Sequence, residues 1–143
     1  MFITLSHILV YLICFGVKMI GKREEEYLEA IYEIVNDKGY AKVSDVAAEL
    51  DLGLSAVTEM FQKLDDKGYI DYKKYSGVTL TDKGKGVAKS LLNSHKIWED
   101  FFVKIGVDRE MADDEACKIE HVVDPEITEK VDDLIEKIGK KED

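Results

Sequence analysis

Apolar residues recur at helical spacing along most of this chain. Residues 22–36 place five apolar side chains on one face, with charged residues between them: Tyr27, Leu28, Ile31, Ile34 and Val35. This pattern predicts a first amphipathic helix. Shorter stretches with the same period predict a second helix over residues 43–50 and a third over residues 54–67. Two short helices joined by a glycine-containing turn are typical of a helix-turn-helix.

The period changes after Gly68. Apolar and polar residues then alternate over residues 69–75 and again over residues 78–81, which predicts a two-stranded hairpin. Ser76 and Gly77 are expected at its tip, with Lys73 and Lys74 close by. A hairpin directly after the second helix of a helix-turn-helix is the wing of a winged helix.

Helical spacing returns after the hairpin. An extended apolar stripe through Trp98 and Phe102 predicts a long helix over residues 82–105, ended by Gly106. Two more helices are expected over residues 109–122 and 125–138, the last with Pro125 in its first turn. We therefore expect a mainly α protein, with a winged helix-turn-helix in residues 19–90 and a helical domain in residues 91–143.

The first eighteen residues differ in kind from the rest. Residues 2–17 are an uncharged run of sixteen, which is short of the roughly 20 that a membrane-spanning helix needs. No basic segment precedes the run and no small-residue cleavage site follows it, so it does not fit a signal peptide. Met19 stands where the hydrophilic sequence begins, and our preferred interpretation is that translation starts there. A membrane anchor, or a helix packed on the domain, is the alternative.

Charge and cysteine content narrow the class of protein. The 143 residues carry a net charge of -10, which by itself argues against a nucleic-acid partner. The charge is uneven, however, because residues 63–96 contain eight lysines against four aspartates, a net of +4. Cys14 and Cys117 lie far apart in different kinds of sequence, so a secreted disulfide framework is not expected. A cytoplasmic location fits better.

The third helix is the candidate recognition helix. The N-terminal residues of such a helix meet base edges in the major groove, and the candidates here are Ser55, Ala56, Thr58, Glu59 and Gln62. Lys63 is expected to face phosphate, and Lys73 and Lys74 of the hairpin to contact DNA. Basic residues concentrated around this helix favour double-stranded DNA as the partner. A winged helix that binds another protein is the alternative.

Three groups of potential metal ligands occur at helical spacing, so each projects from one helix face. They are Glu26 with Glu29, His95 with Glu99, and Cys117 with Glu120 and His121. Carboxylates, imidazoles and a single thiolate suit a divalent first-row metal. Taken singly, the glutamates could form a solvated acidic face, the cysteine could be a small core residue, and the first histidine could be hydrogen-bonded in the core. A fold that brought the three helices together would make one site.

Five strings resemble the diphtheria toxin repressor and manganese transport regulator family, and the resemblance spans Met19 to about Ile138. They are EYLEAIY at 26–32, VSDVA at 43–47, SAVT at 55–58, LTDKG at 80–84 and DEACKIEH at 114–121. The resemblance implies a homodimer that binds a palindromic DNA operator when Fe(II) or Mn(II) occupies its sites, and so represses genes of metal homeostasis. Residues 91–143 would then serve dimerisation and metal sensing. The chain ends at Asp143, which indicates the short form without the SH3-like third domain.

The resemblance also assigns ligands. Glu26 falls where the manganese branch of the family has Asp and the iron branch has Met, and Glu29 falls on a carboxylate ligand of the manganese branch. His95, Glu120 and His121 match ligands of both branches. These five positions imply a metal centre shared between the first helix and the C-terminal half.

The remaining positions point to the iron branch or depart from both. Glu99 and Cys117 follow the iron branch, whereas Asp113 stands where that branch has a histidine ligand. Carboxylates favour Mn(II), while a thiolate favours Fe(II) and admits Zn(II), Co(II) or Ni(II). The metal identity is therefore open between Fe(II) and Mn(II).

Three other functions are compatible with parts of the sequence. One is a winged-helix regulator that responds to an organic ligand or to none, with the acidic C-terminal half serving dimerisation alone. Another is a small metal-dependent hydrolase using Glu120 or Glu29 as general base, but no HExxH-type motif is present, so we expect no enzyme. A membrane-anchored sensor would depend entirely on residues 2–17.

Overall fold

A computed structural model of the chain describes residues 20–142, with the elements in the predicted order. The helices are α1 (Lys22–Lys38), α2 (Val43–Leu50), α3 (Leu54–Asp66), α4 (Asp82–Lys104), α5 (Arg109–Ile119) and α6 (Pro125–Glu142), and the strands are β1 (Ile70–Lys73) and β2 (Gly77–Leu80). The expected mainly α fold with an N-terminal winged helix-turn-helix is confirmed. The apolar run in residues 1–18 lies outside the described residues. Within residues 20–142, no helix combines the length and apolar character needed to cross a bilayer.

The winged helix-turn-helix encloses an apolar core between α1, α2, α3 and the hairpin. Its largest fully buried side chains are Tyr27, Leu28, Ile31, Val46, Val57, Phe61, Leu64, Ile70 and Val78. Burying an aliphatic or phenylalanine side chain of this size contributes about 1.5–3 kcal/mol. This core fixes α3 relative to α1 and the hairpin.

The hairpin turns at a different place from the one expected. β1 pairs antiparallel with β2, and the turn runs over residues 74–76, where the Ser76 N–H donates to the Lys73 carbonyl at 3.0 Å. Gly77 begins β2 instead of forming the tip. Its φ is +96°, and a Cβ there would lie 2.8 Å from the Ala41 carbonyl oxygen. The glycine therefore serves the close approach of the hairpin to the segment before α2. The prediction of Ser76 in the turn is confirmed, and that of Gly77 was wrong.

Helix α4 joins the two halves of the chain. It packs against α1 on one side and against α5 and α6 on the other, and it runs through residue 90, where we placed the domain boundary. The Trp98 indole N–H donates to the Thr128 hydroxyl at 3.1 Å, and both side chains are buried. This contact ties α4 to α6.

Helix α5 ends at Ile119, earlier than the predicted residue 122. The N–H groups of Val122 and Val123 both donate to the Ile119 carbonyl at 3.1 Å, which closes the helix in a tight turn. Pro125 follows shortly after, and the residue before a proline avoids the helical conformation. Glu120 and His121 consequently sit in the turn that leaves α5, facing α1 and α4.

Candidate metal centre

Potential ligands from α1, α4 and α5 converge at the junction of the two halves. Within residues 20–142 they form two groups, and in each group the ligand atoms lie within 4.8 Å of one another. The first group is Glu29, Glu120 and His121, and the second is His95, Asp113 and Cys117. Five of these six residues were singled out from the sequence as ligands, and Asp113 was noted as a departure from the iron branch.

His95 of α4 lies between the two groups. Its Nδ1 is 2.7 Å from Glu120 Oε2, and its Nε2 is 2.7 Å from Asp113 Oδ1. The Cys117 sulfur is 3.7 Å from the same Nδ1. A carboxylate oxygen therefore faces each ring nitrogen, and the imidazole can serve either group.

His121 connects the centre to α1. Its Nδ1 is 2.7 Å from Glu25 Oε2, and its Nε2 is 3.3 Å from Glu120 Oε1. Glu26, which the spacing predicts as a ligand together with Glu29, is half-buried, and neither Glu26 nor Glu25 belongs to a converging group. Glu25 was not predicted as a ligand, although its spacing of four residues from Glu29 also places the two on one helix face.

Glu29 carries the feature that most directly indicates a cation-binding site. Among the described residues, its Oε1 is the buried side-chain polar atom without a hydrogen-bond partner. Burial raises the pKa of the Glu29 carboxyl, although a hydrogen bond with Glu120 opposes the rise. A buried, unpaired carboxylate oxygen is costly unless a proton or a cation compensates it.

The neighbouring groups show the same crowding of negative charge. Burial, and then the hydrogen bond and charge of Glu29, raise the pKa of Glu120 to about 9. Partial desolvation and the charges of Glu120 and Asp113 raise the pKa of the Cys117 thiol to about 11. Because a divalent cation would stabilise the ionised form of each group, this donor set fits a metal ion.

Glu99 lies at the edge of the centre. Its Oε2 is 3.8 Å from His95 Nε2, while its Oε1 accepts from the Arg109 guanidinium at 3.0 Å. It belongs to neither group of converging ligands. The arginine already compensates its charge, so Glu99 is placed less directly for metal binding than Glu29 or Glu120.

The residues chosen for DNA contact divide by exposure. Ser55, Ala56, Glu59 and Gln62 are exposed on α3, whereas Thr58 is half-buried and its hydroxyl donates to the Leu54 carbonyl at 2.9 Å. Lys73 and Lys74 are exposed on the hairpin. Tyr75, which was not among the residues predicted to contact DNA, lies at the turn with 93% of its surface exposed.

Lys63 is engaged within the protein. Its ammonium group pairs with Glu24 of α1, as does that of Lys67 at the end of α3. The expected phosphate contact of Lys63 is thus accompanied by an ion pair that helical spacing could not reveal, because it joins two separate helices.

Each half of the chain matches a domain of a known protein family. Residues 19–78 match the N-terminal DNA-binding domain of the iron-dependent repressors, and residues 81–143 match their metal-binding and dimerisation domain. The chain belongs to the iron-dependent repressor family. It is a metal-dependent transcriptional repressor of that family and not an enzyme, so the hydrolase alternative is excluded.

Relatives of this repressor share both halves of the chain. It is 43% identical over 112 residues to the HTH-type transcriptional regulator MntR of Bacillus pumilus (strain SAFR-032), covering 78% of each chain. The structure is similar to IdeR of T. acidophilum, with a TM-score of 0.69, 31% identity and coverage of 81% of this chain and 54% of that one. It is also similar to a manganese-dependent transcriptional repressor in complex with manganese, with a TM-score of 0.71, 25% identity and coverage of 78% and 52%. The chain spans about half the length of these two solved relatives.

Proposed function

We propose that this repressor binds a palindromic double-stranded DNA operator as a homodimer when Fe(II) or Mn(II) occupies the centre at the α1, α4 and α5 junction. It would thereby control genes of metal homeostasis in the cytoplasm. The observation that carries the proposal is the buried, unpartnered Glu29 oxygen beside Glu120 and His121. A divalent cation bound there would compensate the negative charge of the buried oxygen.

The residues that would hold the metal come from both halves. Glu29 belongs to α1 of the winged helix, whereas Glu120 and His121 follow α5. His95, Asp113 and Cys117 form the adjoining group, and Glu26 and Glu99 remain the outlying candidates. The cation, when bound, supplies the positive charge that the converging carboxylates lack. Ligands held in common then fix α1 relative to α4 and α5.

Fixing α1 matters because two recognition helices must match the spacing of two half-sites. That spacing is about 34 Å, or a multiple of it. A dimer whose winged helices fluctuate around α4 meets the spacing only part of the time. Metal binding selects one arrangement from this ensemble, and operator affinity rises.

Exposed apolar side chains support a second copy of the chain as partner. In the C-terminal half they are Ile105, Met111, Val122, Ile127, Leu134 and Ile138. They fall in the half of the chain that matches the dimerisation domain of the family, and apolar surface left exposed on such a domain is suited to a protein interface. On the DNA side, the exposed polar residues of α3 and the lysines of the hairpin support groove and phosphate contacts.

The choice between iron and manganese rests on mixed evidence. Carboxylate and imidazole donors suit Mn(II), and the one thiol adds affinity for Fe(II) and softer metals. The similarity to a manganese-dependent repressor supports Mn(II). The family description supports Fe(II). We retain both as candidates and let titration rank them.

The decisive experiment measures operator binding by EDTA-treated protein with Mn(II), anaerobic Fe(II) or Zn(II) added in parallel at fixed salt. Wild-type protein should bind only with metal. Glu120→Ala and His121→Ala should remove the metal response while keeping the fold and the dimer, because both residues lie in the turn after α5. Glu110→Ala, an exposed residue of α5, is the matched control and should respond like wild type.

A second candidate is a winged-helix regulator that does not respond to metal. Equally tight operator binding in EDTA, or an unchanged metal response in the Glu120 and His121 variants, would establish that alternative and contradict the proposal.

A further inference from the structure

The first turn of α1 carries a buried carboxylate that has no place in either ligand group. Glu24 is 4% exposed. Both of its oxygens accept from the Lys67 ammonium, at 3.0 and 3.1 Å, and Lys63 pairs with it as well. Both lysines belong to the C-terminal end of the recognition helix α3 or to the residue that caps it. One buried glutamate thus holds the end of α3 by two cations.

The adjacent residue faces the metal centre. Glu25 lies 2.7 Å from His121, and Glu29 follows one turn later with its unpartnered oxygen. Consecutive residues of α1 therefore contact the recognition helix and the metal centre. This turn of α1 therefore connects the two regions by polar contacts, in addition to the shared apolar core.

Further polar contacts connect the end of α3 to α4. The Lys67 carbonyl accepts from the Lys83 ammonium of α4 at 2.9 Å, and that ammonium stands 4.2 Å from the centre of the Tyr69 ring. The end of α3 is consequently fixed between the starts of α1 and α4. Any shift of α1 along or around its axis would move the point to which both lysines are bound.

We propose that Glu24 is a positioning residue that passes the position of α1, set at the metal centre, to the recognition helix. This inference rests on the proposed metal-dependent DNA binding. The apolar core keeps α3 folded against α1, and Glu24 adds a directional constraint at one end of the helix. Loss of the carboxylate leaves the core intact and lets the end of α3 rock when α1 is fixed.

The test variant is Glu24→Gln, which preserves shape and removes the charge. Mn(II) affinity measured by calorimetry should match wild type, because Glu24 belongs to neither ligand group. The gain in operator affinity on adding Mn(II) should fall about fivefold or more, the lower range of measured coupling between sites. Hydrogen exchange gives a second readout: Mn(II) should slow exchange of α3 amides in wild type and slow it much less in the variant.

Asp45→Asn is the matched control. It removes a carboxylate of the same domain that pairs with Lys38 of α1 and with the Lys42 backbone and belongs to neither ligand group, so the Mn(II)-dependent gain should be that of wild type. Lys67→Gln provides an independent approach should Glu24→Gln fold poorly, and it should reduce the gain in the same direction. In the double variant the two losses should not add, since both remove one interaction.

The possible results separate the inference from the function on which it rests. A Glu24→Gln protein, or a Lys67→Gln protein, that keeps the full wild-type gain overturns the role of Glu24 alone. A wild-type protein that shows no metal-dependent gain overturns the proposed function, and the inference with it.

Discussion

The two buried regions that share helix α1 differ in composition, since one is apolar and the other contains several carboxylates. On the side facing α2, α3 and the hairpin, α1 contributes Leu28 and Ile31 to a core of fully enclosed apolar side chains. On the side facing α4 and α5 it contributes Glu25, which contacts His121, and Glu29, which contacts Glu120. The first region satisfies the ordinary rule that apolar groups are buried. The second region breaks this rule, because it contains buried carboxylate oxygens from two residues that lie one helical turn apart on α1.

The difference shows that the residues that stabilise the fold are distinct from those that would bind the metal. Apolar burial stabilises the winged helix without any partner. Buried carboxylates with raised pKa values destabilise the metal-free protein and are retained where they have a use. The apolar core should therefore dominate stability, and the junction should dominate the response to metal.

The largest effect is expected from opening the apolar core. Phe61→Ala should lower the free energy of unfolding by about 3–5 kcal/mol, since it removes a fully buried ring and leaves a cavity. The ring also makes an edge-on contact with Tyr72, with centroids 5.4 Å apart. Urea denaturation of the metal-free protein measures the loss. Tyr75→Ala, at the exposed turn, is the control and should stay within about 0.5 kcal/mol of wild type; similar losses in both would contradict the assignment of stability to this core.

A change at the junction should act in the opposite sense on the metal-free protein. Glu29→Gln removes a carboxylate that burial disfavours in its ionised form and whose Oε1 has no hydrogen-bond partner, so it should raise the free energy of unfolding by about 1–2 kcal/mol. Burial penalises the ionised carboxylate, so the gain should be absent below the ordinary glutamate pKa of about 4.3 and grow as pH rises above it. Mn(II) affinity should fall by at least the roughly 10–100-fold that loss of a supporting residue costs at a metal site.

The control for Glu29→Gln is the same substitution at Glu49, an exposed residue of α2. Thermal unfolding with and without Mn(II) distinguishes the two. Wild type and Glu49→Gln should gain stability on adding the metal, and Glu29→Gln should gain little. A full Mn(II)-induced shift in Glu29→Gln would remove Glu29 from the ligand set.

A smaller effect, on selectivity alone, is expected at the thiol. Cys117→Glu replaces the single sulfur donor with a carboxylate and should lower Zn(II) affinity relative to Mn(II) by about tenfold, the lower end of effects at metal sites. Competition titrations with a chelating indicator measure this ratio. Cys117→Ser removes the sulfur without adding charge and should lower both affinities. An unchanged ratio in Cys117→Glu would show that the sulfur lies outside the coordination sphere.

The same contrast explains what the sequence could and could not predict. Helical spacing predicted each helix of residues 20–142, because burial against one core imposes the 3.6-residue period. It also predicted Glu29, Glu120 and His121 as candidate ligands, which the structure brings together, since residues on one helix face recur at intervals of three or four. That spacing relative to Glu29 suits both Glu25 and Glu26; the packing of α1 on the turn after α5 brings Glu25 to His121, and Glu26 as a ligand stays a prediction.

The spacing of apolar and polar residues could not predict contacts between separate elements. The pairing of Lys63 with Glu24 depends on how α1 crosses α3, and neither helix alone records it. The place of the hairpin turn depended on the Ala41 carbonyl approaching Gly77. Pro125 is a local signal for the early end of α5. The prediction followed the helical period instead and extended the helix to residue 122.

The smallest expected effect is at a surface carboxylate of the winged helix, where charge is paired with a cation and not with other acids. Asp45 accepts from the Lys38 ammonium at 2.8 Å and from the Lys42 backbone N–H at 3.0 Å. These two interactions lower the pKa of Asp45. Its contribution to stability is therefore present above the ordinary aspartate pKa of about 3.9 and is lost as pH falls through the lower folded-state value. Asp45→Asn should cost less than about 1 kcal/mol near neutral pH, as exposed ion pairs do, and nothing in strong acid. Urea denaturation across this pH range should thus give a trend opposite to that of Glu29→Gln, and a cost that persists in strong acid would mean that the side-chain amide of the variant fails to accept the Lys42 N–H.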